Sequence, residues 1–429
     1  MKAPCQRFWG DKMFHIRNFK KLSEVLGDRM IKYIKKITIL ILGLFLTLII
    51  RVLKIFNIFF IEYPNAFGHQ ALNLEYYGRK IQSSGIKKPR IIVFKDKKTL
   101  FANYALYLHH KHSGIRFVQN SLIVKLLVIG MTFQKEMRKK GYMVDAFMQT
   151  DMASLQTDKQ VHTKSNIFLP FNSHLLSRFG QVLDSMSLNR FEYFLFQDRN
   201  LGYHSNRNTA NNFYHMGRVE DAKDFSLASI QMDKVGVKTV RFGSESPPIL
   251  FDSCIIDYPN IYRDRYGDVA DIALMHGCKF FAGPNSGLMF FAHSLNKPVL
   301  FCNAYPWPWM HIPMRKNSVS MPKKLWLIDE KRMMTISEMI QMESAFYYKK
   351  LLYEESFFDS LRIEVVNNTA EEINASVLEI NQRIDGEWSG HDYLLSDLLS
   401  GHIGHDSCSV LSTAFAEMNP DILGKYYIG

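Results

Sequence analysis

DIALMHGCKFFAGPNSGLMFFAHSLNKPVLFC, Asp271 to Cys302, decides how the chain folds. A helical run stops at Gly277, the β-rich CKFFAG follows, and Pro284, Asn285 and Ser286 make a turn into a second helical run, Leu288 to Leu295. PVLFC (Pro298–Cys302) then returns to strand composition. Helix, strand, helix, strand with short connections is the pattern of a parallel sheet covered by helices.

The same alternation extends upstream through FEYFLFQ (Phe191–Gln197), a helix over Asp221 to Val235, VKTVRFG (Val237–Gly243), DSCIIDY (Asp252–Tyr258) and a helix over Tyr266 to His276. Downstream, Ala370 to Ile384 closes the series as a helix. These segments predict a Rossmann-like lobe over residues 186–385. An earlier series starts with NIFFIEY (Asn57–Tyr63) and a helix over His69 to Ile81, followed by RIIVF (Arg90–Phe94) and a helix over Leu100 to His110. It ends with IRFV (Ile115–Val118) and an amphipathic stretch to Lys140, and predicts a second Rossmann-like lobe over residues 57–185. The polar segment Gln149 to Asn166 reads as a lid or as the connection between lobes. Residues 386–429, rich in Gly, His and Ser up to Ser409, are expected to pack back on the lobes as a tail. The expected fold class is α/β, with two Rossmann-like lobes facing across a cleft.

Length and charge narrow the function. A chain of 429 residues with 47% apolar and 22% charged side chains has the composition of an ordinary globular protein. Its net charge is +12, yet residues 1–36 hold ten basic side chains against three acids, so more than half of the excess sits in one arm. No Lys/Arg stripe with interleaved aromatics and no zinc-finger spacing appears beyond that arm, which argues against a nucleic-acid partner. Directly after it comes ITILILGLFLTLII (Ile37–Ile50), uncharged and flanked by Arg51 and Lys54. Fourteen helical residues reach ~21 Å, short of a bilayer's ~30 Å hydrocarbon core. The reading preferred here is therefore a monotopic anchor helix on an anionic membrane surface, at the cytoplasmic face of the inner membrane. A single span extended by snorkelling cations and a buried core helix are the alternatives. Five cysteines without a CxxC pair imply neither a zinc site nor a disulfide framework, and Cys254, Cys278 and Cys302 read as buried strand residues.

Open α/β sheets bind ligands at the carboxyl ends of their strands, which marks four places. FGHQALNLEYY (Phe67–Tyr77) follows the first strand; Gly68 permits a tight turn, a helix N-terminus attracts anions, and His69 and Asn73 share a face. Gln70 lies beside them and Glu75 further on, although a plain capped helix has the same appearance. QDRNLGYHSNRN (Gln197–Asn208) is a donor-rich loop whose Arg199, Asn200, Tyr203 and Arg207 suit a phosphate, or else simply meet solvent. AGPNSGL (Ala282–Leu288) places Gly283, Asn285, Ser286 and Gly287 where a pyrophosphate can approach the backbone, or where Ser286 merely caps a helix. In AYPWPWMHIP (Ala304–Pro313), Trp307 can stack on a base or sugar or fill a gap. Arg241 and Asp257 end two further strands. No Walker loop, G-x-G-x-x-G, G-x-S-x-G, H-E-x-x-H or Asp-x-Asp occurs, so a bound diphosphate would be neutralised by arginines and helix N-termini, with no metal or other cofactor expected.

The ordered segments FGHQALNLEYY, IIDYPN (Ile255–Asn260), DIALMHGCKFFAGPNSGL (Asp271–Leu288) and PKKLWLIDEKRMMTISEM (Pro322–Met339) resemble a family of bacterial glycosyltransferases associated with surface-polysaccharide clusters. That family is distantly similar to fucosyltransferases and heptosyltransferases of the two-lobed GT-B type. The resemblance runs from about Phe60 to Glu379 and on through VLSTAFAEMNPDILG (Val410–Gly424). It implies transfer of a sugar from a nucleotide-diphosphate sugar to a glycan, lipid-linked or protein acceptor. The family's strand-end His-x-Arg reads Gln197-Asp198-Arg199 here; the arginine is kept and the histidine is not. Arg199 is therefore expected on the donor phosphates, and Arg199→Ala is expected to abolish transfer in a folded protein. Gly283, Ser286 and Gly287 match Gly-x-x-Ser-Gly on the donor side, where Asn200, Tyr203, Arg207, Arg241 and Asn285 are the further donor-binding candidates. Gly68 and His69 match the first-lobe segment lining the cleft with Gln70, Asn73 and Trp307. A general base is expected among His69, Glu75 and Asp257, His69 first. A non-catalytic membrane-associated partner of a glycan assembly complex is the alternative function.

Overall fold

The computed structural model describes residues 34, 37–62, 67–86, 89–94, 103–139, 167–198, 221–243, 247–249, 254–305, 315–346, 355–394 and 410–424. The chain begins with α1 (Ile37–Ile55), β1 (Ile58–Glu62), α2 (Phe67–Ser83), β2 (Arg90–Phe94), α3 (Tyr104–His112), β3 (Arg116–Val118) and α4 (Ser121–Lys139). It continues through α5 (Ser173–Ser185), β4 (Tyr193–Phe196), α6 (Ser226–Lys234), β5 (Lys238–Arg241) and β6 (Ile255–Asp257). Next come α7 (Arg263–Gly277), β7 (Phe281–Gly283), α8 (Gly287–Ser294), β8 (Val299–Ala304) and β9 (Val319–Pro322). The last elements are β10 (Lys324–Leu327), β11 (Arg332–Met333), α9 (Ile336–Phe346), β12 (Ile363–Val366), α10 (Ala370–Asp385), β13 (Tyr393–Leu394), β14 (Val410–Leu411) and α11 (Thr413–Met418). The class is α/β, as the alternation predicts.

The chain divides into two compact units that interleave along the sequence: residues 1–62, 88–99 and 115–149 form one, and residues 63–87, 100–114 and 150–429 the other. Helices α2 and α3, which the alternation assigns to the first lobe, fall in the second unit.

The first unit holds a parallel sheet in the order β1-β2-β3. Its core joins Ile50 of α1, Phe60, Phe94, and Val124 and Leu127 of α4. Helix α1 meets α4 again at Gly43, where a Cβ would lie 2.3 Å from that of Phe133. The helix is longer than the uncharged stretch suggests, since it carries on through Arg51 and Lys54 to Ile55. Nineteen residues reach ~28 Å, which corrects the shorter length expected from composition.

The second unit is built on an eight-stranded sheet in the order β13-β14-β9-β8-β7-β4-β5-β6, parallel throughout except for the β13–β14 edge pair. Strands buried on both faces need apolar residues throughout, and Tyr193, Phe194, Leu195 and Phe196 are all fully buried. A small antiparallel sheet, β11-β10-β12, follows from segments that carried no clear alternation. Helix α10 starts with a Thr369/Glu372 capping box and ends at Gly386 in the left-handed conformation. Its buried Glu379 accepts hydrogen bonds from Ser412 Oγ and Ala414 N, which fastens the last described segment to the unit. Cys278 and Cys302 are buried as expected, whereas Cys254 is exposed just before β6.

Candidate functional site

Strand order fixes where a ligand crevice can form. From β4 the chain builds outward through β5 and β6, then returns to place β7 on the other side of β4 and continues to β8 and β9. The order therefore reverses between β4 and β7, and the carboxyl ends of those two strands mark the switch point of the sheet. Gln197 and Asp198 follow β4 there, and Gly283 ends β7. Gln197 N donates to Ala282 O at 3.0 Å, and a Cβ on Gly283, whose φ is 152°, would sit 3.2 Å from Gln197 O. Only glycine fits that position without displacing the neighbouring strand.

From Gly283 the chain turns through the buried Asn285 and Ser286 into α8. Ser286 is the N-cap, its side chain accepting from Met289 N at 3.3 Å. Gly287, the first helical residue, meets Gly68 near the start of α2 backbone to backbone: a Cβ on Gly68 would lie 2.4 Å from Gly287 Cα. At the other end of α2, Arg79 Nη2 donates to Ser294 O in the last turn of α8 at 2.7 Å. The two helices thus run parallel, with their N-termini together and a cation at their carboxyl end. Neither has an acidic residue in its first turn, so two positive dipole ends converge without a carboxylate of either helix to offset them. Beside this junction, Gln70 is 0% exposed, and neither its amide nitrogen nor its oxygen has a hydrogen-bond partner among the described residues. Asn73, one turn along α2, is also buried.

Three of the charged candidates have structural partners. Glu75 forms a 2.8 Å ion pair with Arg79 and accepts from the backbone N–H groups of Phe168 and Leu169. Burial raises its pKa despite these donors. Arg241 grips Asp198 with two bonds, Nε to Oδ1 at 2.9 Å and Nη2 to Oδ2 at 2.5 Å. Its Nη1 donates to Pro247 O at 2.6 Å and to Asp257 Oδ1 at 3.2 Å. Asp257 accepts in addition from Ile249 N at 3.2 Å and Asn260 Nδ2 at 2.9 Å. Burial works against the charge of Arg241, but Asp198 and Asp257 outweigh it and hold the guanidinium above its ordinary pKa. With this much of the guanidinium committed, Arg241 acts as a brace across the ends of β4, β5 and β6, not as an open phosphate ligand. Asp257 and Glu75 are likewise tied up as acceptors, which removes the geometric basis for either as general base.

Of the remaining candidates, His69 lies in the first turn of α2 with its side chain outside the described residues. Arg199, Asn200, Tyr203, Arg207 and Trp307 lie outside them altogether. The structure therefore brings together Gly68, Gln70, Gly283, Asn285, Ser286 and Gly287. Sequence reasoning missed Arg79, although its i, i+4 spacing from Glu75 is a readable signal.

No protein-family model matches the chain, and no curated protein matches it. Among solved structures it is similar to a glycosyl transferase of family 9 from Veillonella parvula, with 12% identity and a TM-score of 0.40 over 62% of this chain and 87% of that one. It is also similar to the ADP-heptose LPS heptosyltransferase II of E. coli, with 14% identity and a TM-score of 0.35 over 62% and 89%. A third is the iron-containing dodecameric glycosyltransferase TibC of enterotoxigenic E. coli, with 11% identity and a TM-score of 0.28 over 58% and 59%. That iron corrects the expectation that no metal belongs with this kind of protein, since metal independence does not hold across the structures the chain is similar to. Among the described residues no group of three or more His, Cys, Asp or Glu is placed to hold a metal ion. Each of these similar structures is a glycosyltransferase.

Proposed function

We propose that the chain is a glycosyltransferase that takes a sugar from a nucleotide-diphosphate sugar, with the diphosphate seated where α2 and α8 converge. The observation that carries this reading is the pair of parallel helix N-termini in backbone contact at the switch point of the sheet. Two helix N-termini with no acidic residue in their own first turns favour an anion, and Gly287 leaves the start of α8 exposed. The buried amide of Gln70 supports the reading because a polar ligand would give it the partner it lacks among the described residues. The resemblance of the Gly-x-x-Ser-Gly and Gly-His segments to polysaccharide-cluster glycosyltransferases supports it from sequence.

In this mechanism an acceptor hydroxyl attacks the anomeric carbon, the bond from that carbon to the diphosphate oxygen breaks, and the diphosphate leaves with the bonding pair. Charge growing on the leaving oxygen is stabilised by the N-termini of α8 and α2 and by Arg199. His69, in the first turn of α2, takes the acceptor proton in an inverting reaction. The acceptor is a glycan, lipid-linked or protein group in surface-polysaccharide synthesis.

A thermal-shift comparison of UDP, GDP, ADP and the corresponding monophosphates tests the reading, because a ligand that binds the native state raises Tm. At least one diphosphate should raise Tm by more than its monophosphate. Equal or absent shifts for every base would overturn it and favour a non-catalytic partner of a glycan assembly complex.

A further inference from the structure

Helix α1 buries Gly43, Thr47 and Ile50, a stripe at i, i+4, i+7 that packs on the rest of the first unit. Gly43 lies level with Phe133, and Ile50 with Val124 and Leu127, so α1 and α4 run antiparallel along one another. The opposite face of α1 is uncovered: Leu40, Ile41, Leu44, Phe45 and Leu48 are exposed, Leu44 and Leu48 each to 63%, while Leu42, Leu46 and Leu53 beside the stripe are half-buried. At the other end of the pair, Leu122 and Ile123 of α4 are exposed next to Val124, which shares a core cluster with Ile50. An uncovered apolar surface of this extent marks a docking face.

Charge identifies what covers it. Residues 1–36 are strongly basic, Arg51 is exposed between Leu48 and Ile55, and Lys125 is exposed one turn from Leu122. Cations bordering an apolar face match an anionic headgroup layer above acyl chains. The packing also sets the orientation. An upright α1 would carry α4 into the hydrocarbon, together with its exposed Lys125, Lys135 and Glu136, and ionised side chains at that depth are costly. We propose that the first unit docks on an anionic lipid bilayer with α1 lying in the membrane plane and α4 sharing the contact, so that both ends of the chain stay on one side.

The test uses the full chain with a tag at its N-terminus and sealed vesicles of phosphatidylcholine with or without phosphatidylglycerol. Flotation should require phosphatidylglycerol and weaken with salt. Two double variants, Leu44→Asp with Leu48→Asp, and Leu122→Asp with Ile123→Asp, should each lower partitioning about tenfold or more. The substituted side chains are exposed, so thermal melts should match the parent. External protease should remove the tag and digest the body alike. A protected tag would overturn the proposal in favour of a span, and α4 variants that float like the parent would overturn the flat placement. A chain that ignores both vesicle types and instead self-associates through the same leucines would show that a second copy covers the face, and would equally overturn it.

Discussion

Gln70 presents the sharpest local imbalance in the second unit. Among the described residues neither atom of its buried amide is bonded, and an amide held so away from water costs about 1–3 kcal/mol. Gln70→Leu removes that cost while keeping an apolar volume of similar length. If the amide is reserved for a ligand, the variant should be more stable in urea by about 1 kcal/mol and should bind the preferred nucleoside diphosphate about tenfold more weakly by calorimetry. A variant that loses stability and keeps its affinity would show that the amide serves the fold. Gly68, Ser286 and Gly287 were readable beforehand because a tight turn into a helix is local chemistry, written in neighbouring residues. The fate of Arg241 was not. Its main partner Asp198 lies 43 positions away, and no periodicity signals a pairing made by strand order.

Among the elements, the carboxyl ends of β4, β5 and β6 are tied by that one guanidinium. Arg241→Ala removes the cation that the buried Asp198 and Asp257 share, and should destabilise the chain by about 3–5 kcal/mol in equilibrium denaturation. Replacing Arg241 together with both acids by apolar residues should cost much less, since desolvation offsets most of a buried pair's attraction. Helix α7 carries a second testable group. His276 in its last turn packs edge-on against Phe171 and beside Phe179 of α5. Burial, with help from Lys297 and Arg190, pushes its pKa down to about 4 from an ordinary 6.5. Between those values the unfolded chain takes up a proton that the folded chain refuses, so this residue withdraws stability as pH falls from 6.5 to 4. The Tm difference between His276→Gln and the parent should therefore shift in favour of the variant on acidification. A difference that stays flat with pH would place the imidazole in contact with water.

Taken whole, the alternation of apolar strand and helix runs was enough to find the parallel sheets, because strands buried on both faces must be written as unbroken apolar blocks. It was not enough to say which helix belongs to which unit. Periodicity records that a face is buried but not what buries it, and α2 and α3 each lie between strands of the first unit while packing in the second. It also missed β10 to β12, whose short antiparallel strands mix Lys, Trp, Arg and Glu with apolar residues. The interleaving has a kinetic corollary. The chain passes from one unit to the other five times, the last at residues 149/150, so neither unit is a continuous stretch that can finish folding as it leaves the ribosome. The first unit closes only after its last segment, residues 115–149, has been made, and the second waits for nearly the whole chain. Refolding should accordingly be slow and coupled, with the Gly43–Ile50 stripe of α1 left without its cover for as long as α4 is missing.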